Sequence, residues 1–399
     1  MDDYDITPIG YTTWRNQNIP FGIKDKDRLG HIYCIGKTGM GKSTLLQKMA
    51  LSDITKGKGC GIIDPHGDVA KYLLERIPED RKKDLIYINP VDENVIAFNT
   101  LHAVHPNYHS LVASGLISTF KKIWADSWGP RMEYILRFSL LTLLQYPYAT
   151  LLDIQPLLTD KHFKEKVLEY VRDDYIFDFW RKEFDTYTPS FRNEVISPIL
   201  NKMGVFISSK PLRNMLGKQV SGFRMSQIMD EQKLLIANLS KGELGEDAST
   251  IIGSILVTSI QLSALYRAKQ PMEKRIPFYL YVDEAHSFLS LSFADILAES
   301  RKYGLSLFLA HQYIDQLQEE VRTAIFGNVG TLICFRVGAD DAEYLQKEFE
   351  PEILKDDIIK LQKFEMYIKL MIGGVTSAVF SGKLIRNVND STYIKVITT

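Results

Sequence analysis

A glycine-rich run near the beginning of the chain has the residue types that bind phosphate. It matches the pattern G-x-x-x-x-G-K-[ST] without a gap. It consists of Gly36, Lys37, Thr38, Gly39, Met40, Gly41, Lys42 and Ser43, and Thr44 follows. Glycines let the backbone curl so that successive N–H groups face phosphate oxygens. The Lys42 ammonium would reach the β- and γ-phosphates and the Ser43 hydroxyl would bind Mg²⁺, so the run predicts a site for ATP and Mg²⁺.

A pair of acidic residues closes an apolar run much further along the chain. Asp283 and Glu284 follow FYLYV, which has the composition of a strand buried in a sheet, and the carboxyl ends of such strands face the ligand crevice. Asp283 would hold Mg²⁺, and Glu284 would orient and polarise the attacking water. The letters continue as Ala285 and His286, which matches a DEAH box. We reject a DEAH-box helicase because the usual downstream motifs are not visible in this sequence.

The next apolar run, LSLFLA, ends in His311 and Gln312. A polar residue at the tip of a strand beside the acidic pair is well placed to sense the γ-phosphate or the water. Gln312 is the better candidate because an amide can donate and accept a hydrogen bond at once. We therefore expect Gln312 to belong to the catalytic set with Glu284.

Two arginines are candidates for an arginine finger that reaches the ATP of a neighbouring subunit. Arg301 lies in ESRKYG, where cations also complement the end of a helix that Gly304 caps. Arg336 lies in TLICFRV, where a lone cation in an apolar strand would need a partner. We favour Arg301, and Arg336 stays open as the alternative.

The segment IDPHGD contains Asp64, His66 and Asp68. These residue types could suggest a metal site, but the spacing lacks a further pair of ligands. A tight turn at the ligand edge of the sheet is the favoured interpretation.

Short apolar runs that alternate with helical segments must position these residues. The runs HIYCI, GCGIIDPH and DLIYINP come before residue 105, and KLLIANLS, PFYLYVDEAH, LSLFLAHQ and TLICFRV come after residue 229. This alternation predicts an α/β fold with a mostly parallel sheet flanked by helices. Residues 105–229 carry long amphipathic runs at helical spacing, which predicts an all-α insertion.

The chain is therefore divided into three segments. Residues 1–104 would be the N-terminal part of the nucleotide-binding domain, 105–229 the all-α inserted domain, and 230–399 the C-terminal part of the nucleotide-binding domain. The runs YIKLMI and SAVFSGKLI predict a hairpin around Gly373 and Gly374, whereas residues 1–30 read as mixed and turn-rich.

The composition is that of a folded globular protein, with 45% hydrophobic and 24% charged residues among 399. The net charge is −1, so a DNA-binding surface would need a local grouping of basic residues. Cys34, Cys60 and Cys334 lie far apart in or beside apolar runs and are expected to be buried thiols. The N-terminus lacks an apolar signal sequence and no uninterrupted stretch of about 18 apolar residues exists, so we expect no membrane span and a cytoplasmic location.

Taken in order, five segments resemble those of a known family: GKTGMGKS, IDPHGD, VDEAH, ESRKYG and LAHQ. They are similar to the FtsK–HerA superfamily of ring ATPases, and more narrowly to the TraG-type coupling ATPases of conjugation and type IV secretion. The resemblance covers most of the chain. It implies a RecA-like nucleotide-binding domain with an inserted all-α domain, in which Gln312 is the sensor and Arg301 acts in trans. It also implies the nucleotide-binding role of Lys42 and Ser43, and the Mg²⁺ and water roles of Asp283 and Glu284.

The same resemblance implies an ATP-hydrolysing homohexamer that translocates or couples DNA through its central channel. A relaxase or another cargo protein would bind the helical insertion. The sequence shows neither the membrane anchor of many coupling proteins nor room for the N-terminal β-barrel of HerA proteins. We therefore expect a soluble member of the family, for which docking to a secretion channel and recognition of a cargo stay open.

Two other functions also stay open at this point. The chain could be a secretion or pilus-assembly ATPase that moves protein and never grips DNA. It could also be a nucleotide-controlled scaffold, in which the insertion binds a partner and hydrolysis resets the state.

Overall fold

The computed structural model describes residues 5–385, apart from residues 14 and 16. The strands of this part are β1 (Ile6–Thr12), β2 (Pro20–Lys24), β3 (Ile32–Ile35), β4 (Cys60–Asp64), β5 (Leu85–Ile88), β6 (Leu234–Asn238), β7 (Phe278–Val282), β8 (Leu305–His311), β9 (Thr331–Cys334), β10 (Glu365–Lys369), β11 (Met371–Ile372), β12 (Val375–Thr376) and β13 (Phe380–Leu384).

The α-helices of the same part are α1 (Asp25–Arg28), α2 (Lys42–Thr55), α3 (Asp68–Leu74), α4 (His109–Ile123), α5 (Pro130–Leu143), α6 (Ile154–Thr159), α7 (Lys161–Leu168), α8 (Asp174–Asp178), α9 (Pro189–Ser208), α10 (Lys210–Leu216), α11 (Met225–Asp230), α12 (Lys241–Leu244), α13 (Glu246–Tyr266), α14 (Leu291–Glu299), α15 (Glu319–Asn328), α16 (Ala339–Phe349) and α17 (Lys355–Lys360).

Eleven strands form one sheet in the order β2-β1-β13-β10-β9-β3-β8-β7-β4-β6-β5. Every pair from β9 to β5 is parallel. The pairs that join β9, β10, β13, β1 and β2 are antiparallel. The predicted α/β fold with a mostly parallel sheet is therefore confirmed.

The central strands of the sheet are apolar because helices cover both of their faces. Every residue of β3, β7 and β8 is buried, as expected for parallel strands inside an α/β sandwich. Leu45 and Met49 of α2 pack on one face, and Ile255 of α13 belongs to the core on the other. In β10 the burial alternates from residue to residue, because this strand lies in the less covered, antiparallel part of the sheet.

The elements between β5 and β6 are helical throughout, from α4 to α11, among the residues that the structure describes. Aromatic residues hold them together: Phe138 stacks on Phe179 with ring centroids 4.2 Å apart, and the Trp180 indole donates a 2.7 Å hydrogen bond to the Thr142 hydroxyl. The apolar core of these helices is continuous with the core on the α13 side of the sheet. The limits 105–229 of an inserted domain remain a prediction.

The interpretation of residues 1–30 as mixed and turn-rich is wrong for β1 and β2, which pair antiparallel at the edge of the sheet. The run ITPIGYT includes Pro8 and Gly10, which obscure the strand pattern. The register with β2 shifts between these two residues. The ladder of β1 with β13 begins only at Gly10, so Pro8 pairs on one side alone, which a proline in a strand tolerates. The hairpin around Gly373 and Gly374 is confirmed, since it joins β11 to β12. The three cysteines are buried free thiols, as expected.

A buried ionic cluster fastens the helix that follows the phosphate loop to β7. The Arg28 guanidinium donates to both carboxylate oxygens of Asp53 in α2, at 2.6 and 2.7 Å, and to the Tyr281 hydroxyl of β7 at 2.6 Å. Tyr281 in turn donates to Asp53 at 2.6 Å. The helix α2 and the strand β7, at whose ends the predicted nucleotide-binding residues lie, are thereby held in a fixed relation.

One helix in the described part, Glu246–Lys269, is long and apolar enough by composition to cross a membrane. Of its most apolar stretch, 83% is buried inside the fold. A core helix passes the same test of length and composition.

Candidate functional site

The phosphate loop connects β3 to α2 at the carboxyl edge of the parallel sheet. Gly41 precedes α2 and has φ 136°, a conformation that only glycine adopts without strain. A Cβ there would lie 3.0 Å from the Phe335 ring and 3.1 Å from the Phe364 ring. At the tip of the loop Lys37 and Thr38 are exposed. The loop is therefore packed at its base and open at its tip, where a ligand would enter.

Lys42 is buried at the start of α2, and its ammonium occupies the hollow of the loop. It donates hydrogen bonds to the carbonyl oxygens of Gly36 at 2.6 Å and of Lys37 at 3.3 Å. The loop is braced from outside because the Lys37 amide donates to the carbonyl of Arg336 at 2.8 Å. A positive charge and the N-terminal end of α2 thus converge on one small space, which favours an anion.

Asp283 and Ser43 form the oxygen-rich corner of this space. The Ser43 hydroxyl donates a 3.0 Å hydrogen bond to Oδ2 of Asp283. Burial and the neighbouring carboxylates of Glu284 and Asp64 raise the pKa of Asp283 to about 6. One carboxylate and one hydroxyl suit Mg²⁺, which in proteins binds few side chains and takes its remaining ligands from phosphates and water.

The IDPHGD segment forms a turn. Both carboxylate oxygens of Asp64 accept backbone hydrogen bonds, from the amides of His66 and Ala70, each at 2.9 Å. Among the described residues there is no group of three or more His, Cys, Asp or Glu side chains that could hold a metal ion. This agrees with the turn that the sequence predicts.

Glu284 lies beside Asp283 and is surrounded by hydrogen-bond donors. Its Oε1 accepts a 2.8 Å hydrogen bond from Nε2 of Gln312 and lies 3.8 Å from Nε2 of His66. Its Oε2 lies 3.5 Å from Nδ1 of His286, but it has no aligned hydrogen-bond partner among the described residues. Burial by itself would raise the pKa of Glu284; the contacts with His66 and Gln312 and the charge of Lys42 outweigh it and lower the pKa to about 2. Glu284 is therefore a carboxylate at neutral pH.

The two candidate arginines lie in different surroundings. Arg301 is exposed in the short 3₁₀-helix Ser300–Tyr303, which precedes β8. It therefore lies at the amino edge of the parallel sheet, opposite the phosphate loop of its own chain. Arg336 is not inside a strand, as the sequence suggested, because β9 ends at Cys334. Its half-buried position lies next to the loop that its carbonyl braces.

A cleft of about 510 Å³ opens beside the tip of the phosphate loop. Its walls include Lys37 and Thr38 from the loop, Gln312 and Tyr313 after β8, and Asp341 of α16. The cleft offers space for a ligand next to Gln312, the proposed sensor.

His66 and His286 lie near Glu284, although their positions in the sequence do not predict it. His66 follows β4, far away in the chain, and its proximity to Glu284 depends on β4 lying next to β7 in the sheet. The one signal in the sequence is a polar turn after an apolar run. This pattern places His66 at the carboxyl edge of the sheet but does not indicate which strand lies next to β4.

A family model described as the type IV secretion-system coupling protein DNA-binding domain matches residues 17–349 of the chain. Among solved structures, plasmid coupling protein TrwB in complex with ADP and Mg²⁺ is 16% identical, with a TM-score of 0.61 over 96% of this chain and 92% of that chain. VirB4 of Thermoanaerobacter pseudethanolicus is also 16% identical, with a TM-score of 0.67 over 98% of this chain and 99% of that chain. At such low identity these structures show a shared fold. No curated protein sequence matches the chain.

Proposed function

The chain belongs to the family of type IV secretion-system coupling protein DNA-binding domains, and on this premise we propose that it is an Mg²⁺-dependent ATPase that moves or couples DNA. The observation that carries the proposal is the meeting of Lys42, Ser43, Asp283, Glu284 and Gln312 at one edge of the sheet. A solved relative holds ADP and Mg²⁺, which supports the same ligands here.

The phosphate loop would bind the polyphosphate of ATP through its backbone amides and Lys42. The ammonium of Lys42 would leave the carbonyls of Gly36 and Lys37 for phosphate oxygens, to which it makes stronger, charge-assisted hydrogen bonds. Ser43 and Asp283 would hold Mg²⁺ together, and their present contact at 3.0 Å shows that they already lie side by side. Bound ATP supplies the phosphoryl group, and Mg²⁺ neutralises charge on its oxygens.

Glu284 would orient the attacking water and accept its proton, and its low pKa keeps it ionised for that task. Gln312 holds Oε1 of Glu284 in the structure. The Gln312 amide would turn from this carboxylate towards the γ-phosphate or the water when ATP binds, and it would thereby act as the sensor.

Arg301 would act on the ATP of a neighbouring subunit. It is exposed and lies at the edge of the sheet opposite its own phosphate loop, so it is unsuited to its own ATP and suited to the ATP of a neighbour. This location supports a ring of identical subunits, for which we propose a hexamer with DNA in its channel. The helical elements between β5 and β6 are the proposed binding region for a relaxase or another cargo protein.

The test is the ATPase rate with and without single- and double-stranded DNA, at low and moderate salt, with Lys42→Ala as the inactive control. Strong stimulation by DNA that weakens with salt is expected, because contacts to phosphates release counterions. A rapid ATPase rate that DNA does not change would instead indicate a motor that moves protein. Tight ATP binding with negligible hydrolysis would indicate a nucleotide-controlled scaffold.

A further inference from the structure

Three adjacent parallel strands bring their carboxyl ends together around Glu284. β7 lies between β8 and β4 in the sheet. Val282 of β7 is in register with Leu309 of β8 and with Ile63 of β4. The residues that follow these positions therefore emerge side by side, with Glu284 in the middle, Gln312 on one flank and His66 on the other.

From this arrangement we propose that His66 is a second positioning residue for Glu284, which holds the carboxylate when Gln312 turns towards the nucleotide. The proposal rests on the proposed function of Glu284 and assigns a role to the IDPHGD turn.

The backbone that carries His66 is held firmly. Asp64 is fully buried, and its carboxylate accepts hydrogen bonds from the amides of His66 and Ala70. Gly67 has φ 85°, and a Cβ there would lie 2.9 Å from the side-chain oxygen of Asn238 on β6. A residue other than glycine would therefore disturb the turn. The anchor of His66 is fixed, while its side chain is 51% exposed and so has room to change rotamer.

Gln312 and His66 approach the same oxygen of Glu284. The Gln312 amide lies 2.8 Å from Oε1, within hydrogen-bond distance, whereas the His66 imidazole lies 3.8 Å away. If Gln312 turned away, a largely buried carboxylate oxygen would lose its hydrogen bond, which is costly. A small rotation of the exposed imidazole would restore one. The contact with Glu284 outweighs partial burial and raises the pKa of His66, which favours the charged, more strongly donating imidazole.

His286, the other histidine near Glu284, is less suited to this role. It faces Oε2 at 3.5 Å without an aligned hydrogen bond among the described residues. Its Nε2 is shared by Ser287 at 3.3 Å and Gln316 at 3.4 Å. His286 is thus held by Ser287 and Gln316 and not by Glu284.

The first experiment compares His66→Leu and His66→Gln with the wild type, with exposed His162→Leu as the matched control. His66→Leu should lower kcat for ATP by about 10- to 100-fold, because a misplaced catalytic group costs that much. KM and the affinity for a fluorescent ADP should change less than about twofold, since no ground-state contact to the nucleotide is lost. His66→Gln should keep most of kcat, because the amide nitrogen of the glutamine can donate a hydrogen bond to the Glu284 carboxylate from a similar position.

The proposal is overturned if His66→Leu keeps the kcat of the wild type, or if His66→Gln is as slow as His66→Leu. It is also overturned if nucleotide affinity falls in parallel with kcat, because that would indicate a distorted loop. Glu284→Gln belongs in the same series. Normal turnover in Glu284→Gln would refute the proposed role of Glu284, on which this inference rests, whereas an inactive Glu284→Gln beside a normal His66→Leu would refute only the role of His66.

A second readout needs no nucleotide. NMR titration of histidine-labelled protein, with the His66 signal assigned by its loss in His66→Gln, gives the pKa of this side chain. The pKa should be higher in the wild type than in Glu284→Gln, because the carboxylate stabilises the imidazolium. Equal pKa values of His66 in the two proteins would show that it does not interact with Glu284, and they would overturn the proposal.

Discussion

The side-chain amide of Gln312 donates a 2.8 Å hydrogen bond to Oε1 of Glu284. The oxygen that is proposed to activate the water is therefore held by Gln312. Glu284 also has a left-handed backbone, with φ 47° and ψ 50°, which costs roughly 1–3 kcal/mol in a residue other than glycine. Its amide is held by a 3.1 Å hydrogen bond to Oδ1 of Asp283, so the carboxylate is aimed by its own backbone as well as by Gln312.

Replacing Gln312 should impair hydrolysis and spare binding. In Gln312→Leu the carboxylate loses its closest donor and the site loses its sensor, so kcat should fall by about 100-fold. The affinity for a fluorescent ATP analogue should stay within a few-fold, because the phosphate loop is unchanged. Exposed Gln318→Leu is the matched control and should hydrolyse ATP normally. A Gln312→Leu protein with the wild-type kcat would remove Gln312 from the catalytic set.

Replacing Glu284 should stop the reaction with ATP still bound. Glu284→Gln keeps the shape of the side chain but cannot accept a proton, so turnover should fall by at least about 100-fold. Steady-state hydrolysis and equilibrium binding measure the two properties separately. Exposed Glu273→Gln controls for the loss of one negative charge. If Glu284→Gln hydrolyses ATP at the normal rate, another group activates the water.

Arg301→Ala should lose turnover although it leaves the phosphate loop of its own chain untouched. An arginine finger is worth about 10³- to 10⁵-fold in rate. Mixed with Glu284→Gln subunits, Arg301→Ala subunits should recover part of the activity, because some interfaces then pair an intact Glu284 with an intact Arg301. Exposed Lys302→Ala is the neighbouring control. Mixing that restores nothing would argue against action across a subunit interface.

The buried pair of Arg28 and Asp53 should dominate stability near the phosphate-loop helix. In Asp53→Ala a guanidinium that is 2% exposed loses its carboxylate, and the free energy of unfolding should fall by about 3–5 kcal/mol. Asp178→Ala removes the exposed partner of Lys182 and should cost less than about 1 kcal/mol. Denaturant unfolding followed by circular dichroism measures both. Similar losses in the two variants would mean that burial of the Arg28 pair does not matter.

His31 should make the protein less stable as the pH falls. Burial lowers its pKa from 6.5 to about 4, and its Nδ1 accepts a hydrogen bond from the Leu307 amide at 3.3 Å, which requires the neutral ring. Between these pH values the unfolded chain binds a proton that the native protein does not. The free energy of unfolding therefore falls as the pH falls, by up to about 1.4 kcal/mol per pH unit for this one group.

The variant His31→Asn tests this pH dependence. Asparagine tolerates the left-handed φ of 64° at this position and does not titrate, so the slope between about pH 6.5 and 4 should become smaller. Other groups, such as His311 with a pKa lowered to about 4 and Asp283 with a pKa raised to about 6, act in both proteins. The difference between the two slopes therefore reports His31, and identical slopes would contradict the prediction.

Features that depend on neighbouring residues in the chain were predictable from the sequence. The strand-to-helix bend around Lys42 and the acids that close β7 are local patterns with known chemistry. The parallel sheet followed from alternating apolar and amphipathic runs. The position of Gln312 beside the acids was predictable for the same reason, because it directly follows the next strand in the chain.

Features that depend on which strands become neighbours were not predictable. His66 approaches Glu284 only because β4 pairs with β7, and two apolar strands give no sign of their order in a sheet. β1 and β2 were missed because β1 contains Pro8 and Gly10 and β2 is a short edge strand, so neither has the continuous apolar run of a buried strand. Arg336 was assigned to a strand because the apolar run continues through Phe335 after the ladder of β9 has ended.

The continuous core between the helices and the sheet also has a mechanical consequence. Gly115 and Thr119 of α4 lie against Thr258 of α13, where a Cβ on Gly115 would lie 3.0 Å from the Thr258 methyl group and the two threonine hydroxyls are 2.8 Å apart. Phe288, just after the acidic pair, belongs to the same core. Close-packed interiors are stiff and transmit strain. Tension applied to the helices would therefore be transmitted through this packing to the segment that follows Glu284, the proposed catalytic carboxylate.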